Sequence, residues 1–151
     1  MRHLIGIVEE SIAQLGINPD ESRGQVPGTW LLQKGEAKIL IELLSLDGKT
    51  VTLIQISAPL VQWPGANEQH VAKELLKKNH QLIDAGFSLH EDTIFLRISR
   101  ETAGLDVIEA IQMIGKMGMY AEQLDDWIKE LTTQRVPIGF KAFAQNSSSE
   151  E

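Results

Sequence analysis

The dipeptide Asp47-Gly48 stands between two apolar runs, and no other feature of the chain restricts its fold as much. Ahead of it, residues 37–46 hold Ile39, Leu40, Ile41, Leu43, Leu44 and Leu46; behind it come Thr50, Val51, Thr52, Leu53, Ile54 and Ile56. Glycine takes a positive φ without steric cost, so the dipeptide suits a two-residue hairpin that makes its flanking strands antiparallel. Residues 29–33, with Gly35 just beyond, also have strand composition. Three consecutive antiparallel strands are therefore expected.

Helical periodicity brackets this segment. Leu4, Ile5, Val8, Ile12 and Leu15 recur at steps of three and four over residues 3–15, one face of a helix that Gly16 can end. Residues 18–28 carry two prolines and two glycines without apolar periodicity and read as a loop. Pro59 and Pro64-Gly65 close the strand region, and Asn67 is an expected N-cap for a helix to about residue 85, with Val71, Leu75, Leu76, Leu82 and Ile83 as its apolar side. Gly86 ends it. Residues 87–90 and 93–99 alternate on either side of Glu91-Asp92, which predicts a second hairpin. A last helical pattern runs from about residue 105 to residue 133, and its stripe widens at Met113, Met119 and Tyr120, as if two faces were contacted. The expected fold class is α+β, in the order α-β-β-β-α-β-β-α, with an antiparallel sheet packed by helices. The expected organisation is one domain over residues 1–143 and a disordered polar tail over 144–151.

Composition excludes several classes of function. At 151 residues with 42% hydrophobic and 23% charged content, the chain has the make-up of one folded domain. Lys and Arg number 14 against 21 Asp and Glu, a net charge of −7 that argues against nucleic acid, since phosphate binding needs a basic stripe. Lys73, Lys77 and Lys78 share a helix surface with Glu74 and read as a solvated face. No cysteine is present, so disulfides, thiolate nucleophiles and Cys-based metal sites are ruled out. The first apolar run is too short for a signal-peptide core and no run approaches a membrane span, so a cytoplasmic protein without a membrane partner is expected.

Catalytic chemistry finds no foothold. No two of His3, His70, His80 and His90 have the i, i+4 spacing of a helical metal pair; His80 and Asp84 do, but lack a third ligand. No serine sits in a glycine-flanked elbow. Asp125 and Asp126 are consecutive on a helix and point apart, so they cannot flank one bond. Gly115 and Gly118 lie inside a helical pattern without the order of a phosphate loop, which leaves close helix packing as their explanation. An enzyme would have to assemble its site from residues such as His70, His80 and Glu74. The expectation is a non-enzymatic protein with no catalytic residue, metal or cofactor.

The element order resembles the type III secretion chaperone-like fold, shared by secretion chaperones of the Tir-chaperone (CesT-like) kind and by YbjN-like proteins. Leu75-Leu76-Lys77-Lys78-Asn79-His80, Gly86-Phe87-Ser88-Leu89 with Thr93-Ile94-Phe95-Leu96-Arg97, and Tyr120-Ala121-Glu122-Gln123-Leu124-Asp125-Asp126-Trp127 carry the resemblance, over roughly residues 4–131. It looks closest to uncharacterised cyanobacterial proteins of the YbjN-like group. For the secretion chaperones the resemblance implies an acidic homodimer that holds an extended segment of a client protein, with no nucleotide.

A chaperone-like or adaptor module that binds a polypeptide client is thus the leading expectation. A regulatory or stress-related domain of the YbjN-like kind, sensing a ligand or partner, is the alternative. Met113, Met117, Met119 and Tyr120 are candidate partner or dimer contacts because thioethers adapt to varied apolar surfaces, with core packing as their other reading. Trp63 is a further candidate, since an amphipathic ring in a loop can anchor a partner or pack beneath that loop. Trp127 is expected in the core.

Overall fold

The computed structural model describes residues 1–133 of the chain. The expected domain limit at residue 143 and the tail over 144–151 lie outside the described residues. The elements are α1 (Arg2–Gln14), α2 (Pro19–Ser22), β1 (Thr29–Lys34), β2 (Ala37–Leu44), β3 (Leu53–Gln62), α3 (Glu68–Asn79), β4 (Gly86–His90), β5 (Thr93–Glu101) and α4 (Val107–Thr133). The strands form one antiparallel sheet in the order β1-β2-β3-β5-β4, which leaves β1 and β4 as its edges. The α+β order is as expected, with α2 as an addition inside the predicted loop. There Asn18 accepts from the Asp20 N–H and Pro19 begins the turn, a cap that apolar periodicity does not reveal.

Asp47-Gly48 does turn the chain, but not as a two-residue hairpin. The ladder stops at the pair Leu44 and Leu53, leaving residues 45–52 as a loop. Leu43 opposite Ile54 is the last inward-facing pair, and the next would be Ser45 opposite Thr52, two hydroxyls with no place in an apolar core. Asp47 instead organises the loop: its Oδ1 accepts from Ser45 Oγ and from the N–H groups of Lys49 and Thr50. Those two N–H groups, Thr50 first, hold its carboxyl below the usual range. Two-residue hairpins fall instead at Gly35-Glu36, where Lys34 pairs with Ala37 and Gly35 has a φ of 61°, and at Glu91-Asp92, where both residues have positive φ (47° and 65°) and His90 pairs with Thr93. β3 also runs past Pro59, which sits at an irregularity in the pairing with β5 and does not close the strand.

One face of the sheet is buried. Trp30, Leu32, Ile39, Ile41, Ile54, Ile56, Ile94 and Leu96 project from it at alternate positions. α4 lies against this face, chiefly on β3 with β2 and β5 beside it, and α1 packs against α4. Ser11 is buried where these helices meet and donates to the Ile7 carbonyl at 2.7 Å, and at 3.3 Å to that of Val107. Trp30 is tied to α1 through Glu9, whose Oε2 accepts from Trp30 Nε1 at 3.0 Å while Arg23 grips both carboxylate oxygens at 2.6 and 2.7 Å. The Arg23 hydrogen bond is the main reason the Glu9 carboxyl lies below its ordinary range; burial opposes it and Trp30 adds to it.

The buried residues fall into a main cluster and a smaller one. The smaller comprises Val71, Leu75, Ile94, Ile128 and Leu131, at the meeting of α3, β5 and the end of α4. The two-faced stripe of α4 is therefore used inside the chain: its first half touches sheet and α1, its second half sheet and α3. α3 ends at Asn79, six residues short of the expected end, so Leu82 and Ile83 lie in the connection to β4. The glycines of α4 do not mark close packing: a Cβ on Gly115 would meet nothing within 4 Å, and one on Gly118 would make ordinary contact with Ile39 at 3.5 Å.

Gly115→Ala is therefore expected to raise unfolding stability by about 0.8 kcal/mol through helix propensity alone. Met117→Ala, at a fully buried position, is expected to lower it by about 3 kcal/mol, both read by urea denaturation. Glu9→Gln is expected to lower stability at pH 7 by about 1.5 kcal/mol. Because the folded-state pKa of Glu9 is depressed, its contribution is present above the ordinary value of 4.5 and is lost as pH falls through the lower folded value. The difference between wild type and variant should shrink accordingly in denaturation curves taken down the acid range.

Candidate partner-binding surface

A groove runs between α3 and the edge strand β4. Leu75 turns into the smaller core while Leu76, the next residue on the helix, is carried about 100° round and left 70% exposed. On β4, Phe87 opposite Leu96 and Leu89 opposite Ile94 share the inward face, but the sheet ends there and Leu89 stays 51% exposed. Trp63, Leu75, Leu76, Phe87, Leu89 and Ile94 line a depression of about 280 Å³ with little polar surface. Water meets apolar side chains along its length.

The groove has fixed ends and a partly open edge. The Trp63 backbone N–H donates to the Asp92 carbonyl at 2.8 Å and its indole Nε1 donates to Glu68 Oε1 at 2.7 Å, so the ring is held between the β4–β5 turn and the start of α3. The Phe87 N–H donates to Asn79 Oδ1 at 2.7 Å, which satisfies one position of the β4 edge. The other sheet edge is covered at its start, where Gly24 donates to the Thr29 carbonyl and Arg23 bridges to Trp30. The sheet face turned away from the helices carries a second, more polar concavity of about 480 Å³, with Leu40, Glu42, Gln55, Phe95 and Arg97 among its lining.

The candidate residues separate. Met113 and Met117 are buried in the core, 7% and 0% exposed, which matches core packing, the other reading given for them. Met119 is on the exposed side of α4. Tyr120 is half-buried, and its hydroxyl accepts the Ile83 N–H at 3.1 Å, which pins the α3–β4 connection to α4 with the help of the Lys116–Asp84 ion pair. Trp63 alone of the five lines the groove, while also packing on the smaller cluster. Trp127 is half-buried, not core: its ring meets that of Phe87 at 5.8 Å with a tilt of 38° and takes the Lys78 ammonium over its face at 4.8 Å.

Leu76 and Leu89, the two most telling residues of the groove, were counted within apolar patterns by sequence. Leu76 is adjacent to Leu75 and so off the three-four step, the one signal that could have set it apart. Acid-base chemistry is not assembled here. Among the described residues no three His, Asp or Glu side chains come together as metal ligands. Glu74 pairs with Lys77 on α3, and Asp125 pairs with Lys129, raising the pKa of that ammonium.

No protein-family model matches the chain, and no curated protein matches it. Solved structures do. A chain of the ExsC–ExsE complex superposes with a TM-score of 0.60 at 16% identity, covering 89% of this chain and 97% of that one. A chain of the HopA1–SchA chaperone–effector complex gives 0.59 at 10% identity, covering 80% and 91%. The Yersinia pestis type III secretion chaperone SycH, solved with a stable fragment of YscM2, gives 0.55 at 13%, covering 79% and 97%. The fold is that of the type III secretion chaperones, in agreement with the sequence resemblance. The narrower likeness to cyanobacterial YbjN-like proteins rests on sequence patterns alone and gains no support from these structures.

Tyr120→Phe removes the acceptor of the Ile83 N–H and is expected to cost about 1 kcal/mol of stability. Hydrogen exchange should show faster loss of protection at residue 83 than in the sheet.

Proposed function

We propose that the protein is a non-enzymatic, chaperone-like or adaptor module that holds an extended segment of a partner polypeptide, and that it works as a cytoplasmic homodimer. The apolar α3–β4 groove beside an edge strand carries this reading. An extended peptide laid along β4 gains main-chain hydrogen bonds, and its alternate side chains find Leu76, Leu89 and the Trp63 ring. Fold neighbours lend support, since the ExsC–ExsE, HopA1–SchA and SycH–YscM2 structures are each complexes of two proteins. A net charge of −7 turns the module away from nucleic acid, and no helix among the described residues is long and apolar enough to cross a membrane.

Leu76 and Leu89 are exposed, so Leu76→Glu and Leu89→Asp should leave stability within about 0.5 kcal/mol of wild type. Affinity capture of the tagged full chain from its native extract, read by mass spectrometry, is expected to retain one polypeptide in near-stoichiometric amount, and each variant to lose it. Light scattering on the purified chain is expected to give twice the 16.8 kDa chain mass. A monomer that retains no partner would overturn the reading.

A further inference from the structure

The sheet face turned away from the helices is built from the other set of alternate residues. Across its middle, Leu40 of β2 stands opposite Ser57 of β3, and Ser57 stands opposite Arg97 of β5. One step along the strands Phe95 is opposite Ser88, and one step the other way Glu42 is opposite Gln55. Opposed and diagonal neighbours on one face of a sheet are within reach of one another. Together they line the concavity of about 480 Å³, a size that suits a small organic ligand.

Two polar groups of this concavity are left without partners. Ser57 is only 5% exposed, yet among the described residues its hydroxyl has no hydrogen-bond partner, whereas the buried Ser11 and Ser22 donate to the carbonyls of Ile7 and Asn18. A buried hydroxyl left in that state costs stability, which a ligand that accepts from it restores. Arg97, directly opposite, is exposed and makes no ion pair among the described residues, while Arg23 is held by Glu9 and Asp20 and Arg100 by Glu109. A guanidinium fork beside a hydroxyl is a set of donors that matches the two oxygens of a carboxylate. Arg97 is also the single Lys or Arg among the residues lining the concavity, and Glu42 lies two strands away, accepting from Gln55 Nε2 at 3.4 Å. One cation with a carboxylate nearby suits a ligand of one negative charge better than a phosphate dianion. Beside the donors the lining is apolar: Phe95 and Leu40 are half-buried, and the Phe95 ring is propped by that of His90 at 6.4 Å with a tilt of 56°. A ring with one open face is a platform for a flat apolar group.

We propose that the outer face of the sheet is a binding site for a small monocarboxylate with a flat apolar body, the carboxylate held by Arg97 and Ser57 and the body resting on Phe95 and Leu40. The site lies on the other side of the sheet from the α3–β4 groove, and it does not depend on that groove holding a polypeptide.

Phenylacetate titrated into the full chain and followed by amide NMR tests the proposal. It is expected to shift the signals of Ser57, Phe95 and Arg97 with a roughly millimolar Kd, as suits a ligand of about ten non-hydrogen atoms. Phenylacetamide has the same shape without the charge and is expected to bind about tenfold more weakly. Arg97→Gln, at an exposed position, is expected to weaken phenylacetate about tenfold while the rest of the spectrum stays in place. Glu42→Gln is expected to tighten it about twofold by removing a like charge roughly 10 Å away. Equal affinity for the acid and the amide, no change in Arg97→Gln, or shifts confined to the α3–β4 groove would each overturn the proposal. An apolar peptide blocked at its N-terminus and ending in phenylalanine with a free carboxylate is the third probe. If it bound this face about a hundredfold tighter than phenylacetate, the seat would belong to a partner polypeptide and the small-ligand assignment would fall.

Discussion

The structure depends on the contact between one long helix and one sheet face. Ile114, Met117, Ala121 and Ile128 of α4 meet a surface built from alternate residues of β2, β3 and β5, and all of them are at most 3% exposed. At 27 residues α4 extends for about 40 Å, longer than any strand beneath it, so a single element organises both core clusters. α1 packs against α4 in the main cluster, and α3 meets the last turns of α4 in the smaller.

That arrangement leaves an asymmetry from which the candidate surface follows. The β1 edge is crossed by residues 23 and 24 and tied through Arg23 and Glu9 to α1. Among the described residues the β4 edge has α3 beside it, with Asn79 accepting from one backbone donor. No strand among the described residues lies beyond β4 to bury Leu89, and α3 cannot bury Leu76 while Val71 and Leu75 take its inward face. Within the described residues the groove therefore keeps apolar side chains at the surface.

Two findings share one physical cause. Residues 45–52 do not pair because continuing the ladder would carry Ser45 and Thr52 inward, and Met113 and Met117 are core residues because the sheet occupies their side of α4. Both depend on what stands opposite, which is information a linear pattern does not hold. Pattern counted Met119 and Met117 alike, yet two positions along a helix separate a buried side chain from an exposed one.

By itself the sequence determined the number and type of the main elements, their antiparallel order and the α+β class, because alternation, helical period and turn chemistry are local properties of the chain. With no cysteine it also leaves this chain without thiol chemistry, and its net charge of −7 argues against nucleic acid. Tertiary structure alone decided the strand order that makes β4 an edge, the register that ends β2 at Leu44, and the separation of Leu76 from Leu75 into outer and inner neighbours. Those are contacts between residues far apart in the chain, and the free energy of burial that selects them exists only once the two surfaces meet.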